Sequence, residues 1–157
     1  MKRLIVIIVF FFSIKGHSQR QVSDFKEMID SAIYLKSLAF SKTAKNHTVR
    51  IAYNKDLYLI DENNFPYEYK GRFTILKFKA INLSKARNKS ILKRGIQAWK
   101  IIPVLKGNKV TISIIDFFIT YKNGNYNYAN GGGSETVFEY LCSENKWMLI
   151  DFKNQGI

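Results

Sequence analysis

The sequence predicts an α+β fold, an N-terminal helix packed on a curved antiparallel sheet, and three observations predict it. Apolar residues recur at three- and four-residue steps over residues 22–40, they alternate with polar ones through much of the remainder, and Gly107-Asn108 divides two alternating runs as a tight hairpin turn. A helix followed by a run of strands buries its apolar stripe on the sheet those strands make.

Residues 1–18 stand apart from this plan. Met1-Lys2-Arg3 is a positive start, Leu4 to Phe12 is an unbroken apolar run, and Gly16 and Ser18 put small residues where an exported-protein peptidase reads. That is the layout of a secretory signal peptide cut between Ser18 and Gln19. An apolar run of about ten residues is half of what a membrane-spanning helix needs, and no cysteine stands at the cut, which speaks against a lipoprotein. The sequence therefore predicts a signal peptide at 1–18, a single α+β domain at 19–157 and no transmembrane segment after signal removal. It also predicts export to the periplasm or medium of a bacterial host.

The elements follow in order. Phe25, Met28, Ile29, Ala32, Tyr34 or Leu35, and Ala39 form the helical stripe, with Ser23 as N-cap and Asp24 and Glu27 favoured by the helix dipole. The polar run Ser41 to His47 ends the helix. Val49, Ile51 and Tyr53 alternate as a strand, Asn54-Lys55 turns the chain into a second strand ending at Ile60, and Asp61 to Pro66 is a loop. Phe73 to Ile81 reads as a strand with Leu76, Phe78 and Ala80 on one face and Lys77 and Lys79 on the other. Ser84 to Arg94 reads as a short second helix capped by Ser84 and stopped by Gly95.

Closing the first hairpin at Gly107-Asn108 pairs Trp99 with Asp116, Ile101 with Ile114, Pro103 with Ile112 and Leu105 with Val110. Pro103 has no amide to donate, so its strand is at an edge or bulged there. Asn123 to Ser134 reads as a Gly/Asn/Tyr loop, and Ser143 to Lys146 closes a second hairpin that sets Cys142 opposite Trp147 and Tyr140 opposite Leu149. This order of elements over residues 22–152 resembles the cone-shaped nuclear-transport-factor-2-like folds, a resemblance of element order with no motif. It implies a sheet curved around a cavity, where acid–base residues sit in the ketosteroid isomerase type.

Charge and chemistry bound the function. The chain has 25 Lys and Arg against 12 Asp and Glu; without Lys2, Arg3 and Lys15 the balance is 22 against 12. From Tyr69 to Ile115 there are twelve bases and no acid, so residues 70–109 predict a basic surface built from Arg72, Lys77, Lys79, Lys85, Lys89 and Lys93. Tyr126 and Tyr128 add aromatic rings for stacking. Such a surface attracts an anionic envelope component, a glycan or an acidic protein, and export argues against nucleic acid. Cys142 is the only cysteine, read as a buried inert thiol, and His47, the only histidine past the signal, lies in a polar linker; together they are a poor case for a Cys-His enzyme and too few for a zinc site. Asn130-Gly131-Gly132-Gly133-Ser134 lacks the Lys-Ser/Thr of a phosphate loop. No cofactor is called for.

Asp116 is the sharpest single residue, an acid inside an apolar run and across from Trp99. Desolvation would raise its pKa toward proton-transfer chemistry; the alternative is a structural carboxylate at a bulge, bonded to Trp99 or paired with a nearby base. The sequence thus predicts a small exported binding domain for an anionic partner. The second reading is a cavity enzyme, of isomerase or dehydratase type, with Asp116 as general base and Trp99 and Tyr121 lining the pocket.

Overall fold

The computed structural model describes residues 25–42, 56–71, 74 and 76–156. The expected Ser23 cap, the 49–53 strand, His47 and Arg72 lie outside them. Helix α1 spans residues 25–42. It is followed by β1 (Leu57–Ile60), β2 (Phe78–Ala80), a 3-10 turn (Ala86–Asn88), α2 (Lys89–Arg94), β3 (Ile96–Lys106), β4 (Lys109–Lys122), β5 (Asn125–Leu141) and β6 (Lys146–Gly156). The six strands form one open sheet in the order β2-β1-β3-β4-β5-β6. The architecture is α+β, as the alternation of patterns predicts.

The sheet is mixed, which corrects the antiparallel expectation. β1 pairs in parallel with β2 and β3, Leu57 beside Phe78 and Leu59 beside Trp99. Parallel strands need a connection of a dozen or more residues; residues 61–77 join β1 to its neighbour β2, and residues 81–95 carry the chain from β2 past β1 to β3. The crossover contains the expected second helix in shorter form: Ser84 does not cap it, and α2 begins at Lys89 and ends at Gly95, whose φ of 85° suits glycine. Phe73 to Ile81 is extended only at Phe78–Ala80 among the described residues.

Each face of the sheet carries its own core. Met28, Ile29, Ala32 and Ile33 of α1 pack on Leu59, Trp99, Ile101, Val110, Ile112, Ile114 and Phe138. On the opposite face Ile81, Leu83 and Leu92 of the crossover cover Tyr58, Ile60, Ile96, Ala98 and Ile119. These two layers fix which side chains can meet.

The β3–β4 hairpin has the expected register throughout, including Trp99 beside Asp116. β1 ends opposite Lys100, so the missing amide of Pro103 falls where β3 has become an edge. Asn123 to Ser134 is not a loop. Asn123 and Gly124, at φ 52° and 83°, make a two-residue turn, and β5 runs straight on through the glycines. Glycine is required inside that strand: a Cβ on Gly133 would stand 2.8 Å from the Ile114 carbonyl oxygen, and Gly132 has φ 103°. The β5–β6 turn is Cys142 to Asn145, of the expected length but one residue earlier, so Tyr140 faces Trp147 instead of Leu149 with the faces preserved. Cys142 is exposed on that turn, not buried. Register shifts at Ile115/Phe117 and Val137/Phe138 bend the sheet.

Candidate functional site

The crossover places a basic surface on one side of the sheet. α2 has one buried residue, Leu92, and turning that residue inward leaves Lys85, Arg87, Lys93 and Arg94 exposed on the outer side. Two contacts hold this short segment on the sheet. The Tyr126 hydroxyl donates to the Leu83 carbonyl at 2.6 Å, and the Tyr126 ring leans on Tyr121 with centroids 5.0 Å apart. Lys89 extends its ammonium over the Tyr121 ring, 5.0 Å from the centroid, an arrangement that favours a cation on electrostatic grounds.

Lys122 arrives from the end of β4. It follows Tyr121 on β4, and with Lys93, Asn123 and Gly124 these residues line a groove of about 440 Å³. No acidic side chain among the described residues lines it. Among the described residues Lys85, Arg87, Lys89, Lys93, Arg94 and Lys122 enter no ion pair, whereas Lys26, Lys36, Lys70, Lys79, Lys109, Lys146 and Lys153 each have a carboxylate partner. Lys42, Lys77, Lys100 and Lys106 also enter no ion pair among the described residues, but they are spread over α1, the β2 edge and β3; the six on the crossover and the adjoining turn are the ones that stand together.

The expected binding residues separate accordingly. Lys85, Lys89, Lys93 and Tyr126 belong to this surface, and Lys122 and the two arginines join them. Lys79 is bound to Asp56 at 2.7 Å, which largely cancels its charge. It remains on the α2 side of the sheet, since it stands opposite Tyr58 in the β1–β2 register and Tyr58 belongs to the core on that side. Lys77 is exposed beside the β2 edge and lines a different groove with Tyr67, Tyr69 and Phe78. Tyr128 packs edge-on against Phe117 and is 39% exposed. Trp99 and Tyr121 lie on opposite faces of the sheet, in different cores; they cannot line one pocket, which corrects that pairing.

On the α1 side, Asp116 has a partner the sequence reading missed. Lys36 Nζ lies 3.0 Å from Oδ1 and donates to Oδ2 at 3.1 Å, and the ammonium sits 4.9 Å from the Trp99 ring centroid. Lys36 continues the buried stripe one turn beyond Ala32, so the helical repeat itself turns this lysine inward. Its side chain is 3% exposed and that of Asp116 is 28% exposed. Burial pushes the Asp116 carboxyl up and the Lys36 amine down, and the attraction between them offsets part of each effect. Asp116 lies where the β4–β5 register shifts, with Gly131 alongside. Nearby on the same face the hydroxyls of Ser134 and Thr136 are buried with no hydrogen-bond partner among the described residues.

No protein family, curated protein or solved structure matches the chain.

Proposed function

We propose that the protein is an exported binding domain that engages an anionic partner through the α2 side of its sheet. One observation carries the reading: Lys89, Lys93 and Lys122 converge around Tyr121 and line or border a groove with no acidic side chain in it among the described residues. Their positive potentials add where no local counter-charge cancels them, and an anion entering the groove meets several ammonium groups at once. Because Lys93 and Lys122 are exposed and Lys89 is only half-buried, the attraction acts over about 8 Å at physiological ionic strength and weakens with added salt.

The alternative, a cavity enzyme with Asp116 as general base, draws on the raised pKa of a carboxyl that reaches solvent. Against it stands the Lys36 ammonium, within ionic distance of both carboxylate oxygens. A base so paired must break that pairing to accept a proton, and the geometry suits a structural carboxylate better.

The test is retention on a heparin column and on vesicles rich in anionic lipid, each run across a salt gradient. Retention is expected to fall steeply with salt, and Lys85→Glu, Lys89→Glu and Lys93→Glu together are expected to remove most of it with the fold intact by circular dichroism. Unchanged retention in the triple variant would refute the assignment to this face.

A further inference from the structure

The groove beside Tyr121 is shaped for more than charge. We propose, resting on the anion-binding reading above, that its ligand is an acidic polysaccharide, with one charged sugar ring seated between Lys93, Lys122 and Asn123 and the chain passing along α2. Lys89 and Lys93 are one helical turn apart, about 6 Å along the axis, which spaces two ammonium groups on the scale of a single sugar unit. Lys122 faces them from the β4–β5 turn across a groove of about 440 Å³, which encloses one ring and excludes a duplex.

Three observations favour a glycan over other polyanions. Among residues 79–95 there is no exposed large apolar side chain, and interfacial binding to a lipid surface grows with the apolar area that can be inserted. The Tyr121 ring is already covered, by Lys89 at 5.0 Å and by Tyr126, and Tyr128, 39% exposed, does not line the groove, so the groove itself offers no open aromatic face on which a nucleobase could stack in the manner of single-stranded nucleic-acid sites. Asn123 lines the groove with a side-chain amide that can both donate and accept. Such a group adds little to a bare carboxylate or sulfate but serves the hydroxyls of a sugar. The lysines then hold the acid group and the amide holds the ring.

The experiment compares two soluble probes carrying the same number of carboxylates, an oligogalacturonate with one on every ring and an oligoacrylate with no rings, by calorimetry on the wild-type protein. Asn123 has φ 52°, so Asn123→Gly removes the amide without straining the turn, and Lys93→Gln with Lys122→Gln removes the charges. The oligogalacturonate is expected to bind about tenfold more tightly, the equivalent of one well-made neutral hydrogen bond. Asn123→Gly is expected to erase that preference while leaving oligoacrylate binding unchanged, and the double lysine variant to weaken both. Equal binding of the two probes would overturn the glycan assignment and leave the anion-binding reading standing. Tighter binding to phosphatidylglycerol vesicles or to single-stranded RNA would overturn it in favour of those partners. Binding to none of the four would overturn both proposals.

Discussion

Replacing Asp116 by Asn tests what the buried pair is for. The change keeps the shape of the side chain and removes the charge that faces Lys36. Lys36 is then left with its side chain 3% exposed and an ammonium that must go without a counter-charge or give up its proton. The second course sets a ceiling. Holding an amine neutral at pH 7 against an ordinary pKa of 10.5 costs about 5 kcal/mol at 1.36 kcal/mol per pH unit. Burial already lowers the Lys36 pKa in the native protein, so part of that cost is present before the change. Asp116 loses its own desolvation penalty when it becomes neutral, which offsets more. What remains is about 2 kcal/mol, below the range of about 3–5 kcal/mol for breaking a fully buried pair, in keeping with a carboxylate that reaches solvent.

In a chain of this size that is a fall in melting temperature of roughly 7 °C. The pH dependence carries its own sign. A lysine whose folded pKa lies below 10.5 binds fewer protons folded than unfolded between those two values, so its contribution to stability rises with pH across that window. Losing Asp116 lowers the folded pKa further and widens the window. The deficit of Asp116→Asn is therefore expected to shrink between pH 7 and pH 10 in paired urea titrations, with other groups cancelling in the difference. Lys36→Met should cost less than Asp116→Asn, because it strands the better solvated partner, and the double variant should recover most of the loss. An Asp116→Asn protein that melts at or above the wild-type temperature at pH 7 would refute this reasoning and favour a carboxylate strained for chemistry.

Two further predictions concern other parts of the chain. Gly133→Ala is expected to destabilise by about 1–3 kcal/mol, because its Cβ meets backbone that cannot yield without shifting β4, whereas at Gly131 the added carbon would find Asp116 Cβ at an ordinary 3.6 Å; thermal melts of the two variants should differ clearly, and equal melts would discard the close-approach argument. Intact mass of exported protein should match a chain beginning at Gln19, with or without cyclisation of that residue, and recovery of only the uncut chain in the membrane fraction would exclude the export reading.

The parts of the fold legible in the sequence are those whose partners are close along the chain. The β3–β4 hairpin has a two-residue turn and alternation on both sides, and its register follows from those alone. β1 and β2 are four and three residues long; such short runs carry little periodicity, and their parallel pairing depends on a crossover that no local pattern announces. β5 was obscured for a different reason. Its glycines and asparagines read as loop composition, yet Gly133 is there because the Ile114 carbonyl leaves no room for a side chain, and the Asn123-Gly124 turn between alternating runs was the available signal.

The candidate site was half legible for a related reason. Linear proximity grouped Lys77 and Lys79 with the α2 lysines, but Asp56 neutralises Lys79 from an earlier strand. Lys122 joined from outside the acid-free segment because the β4–β5 turn brings it back to Lys93. Lys36 was readable in principle, since the buried stripe of positions 28, 29, 32 and 33 runs on to 36 and 37, and both of those residues are buried. A lysine at a stripe position most often marks the edge of the apolar face, and only an acid waiting inside the sheet makes it a core residue.

β4 carries both features, Asp116 toward α1 and Tyr121 with Lys122 toward α2, and this lets stability and binding be separated. The pair acts by holding α1 to the sheet; the crossover is held independently, by Leu92 in the opposite core and by the Tyr126 hydroxyl on Leu83. If the two layers do those separate jobs, Asp116→Asn lowers the melting temperature and leaves retention on heparin unchanged, measured well below the melt where the variant is fully folded. The removed charge is negative, so its loss cannot weaken anion binding through the overall field. A folded Asp116→Asn protein with lost retention would mean that Asp116 shapes the ligand site itself, and the binding surface would have to be sought on the α1 side, around Trp99 and the buried hydroxyls of Ser134 and Thr136.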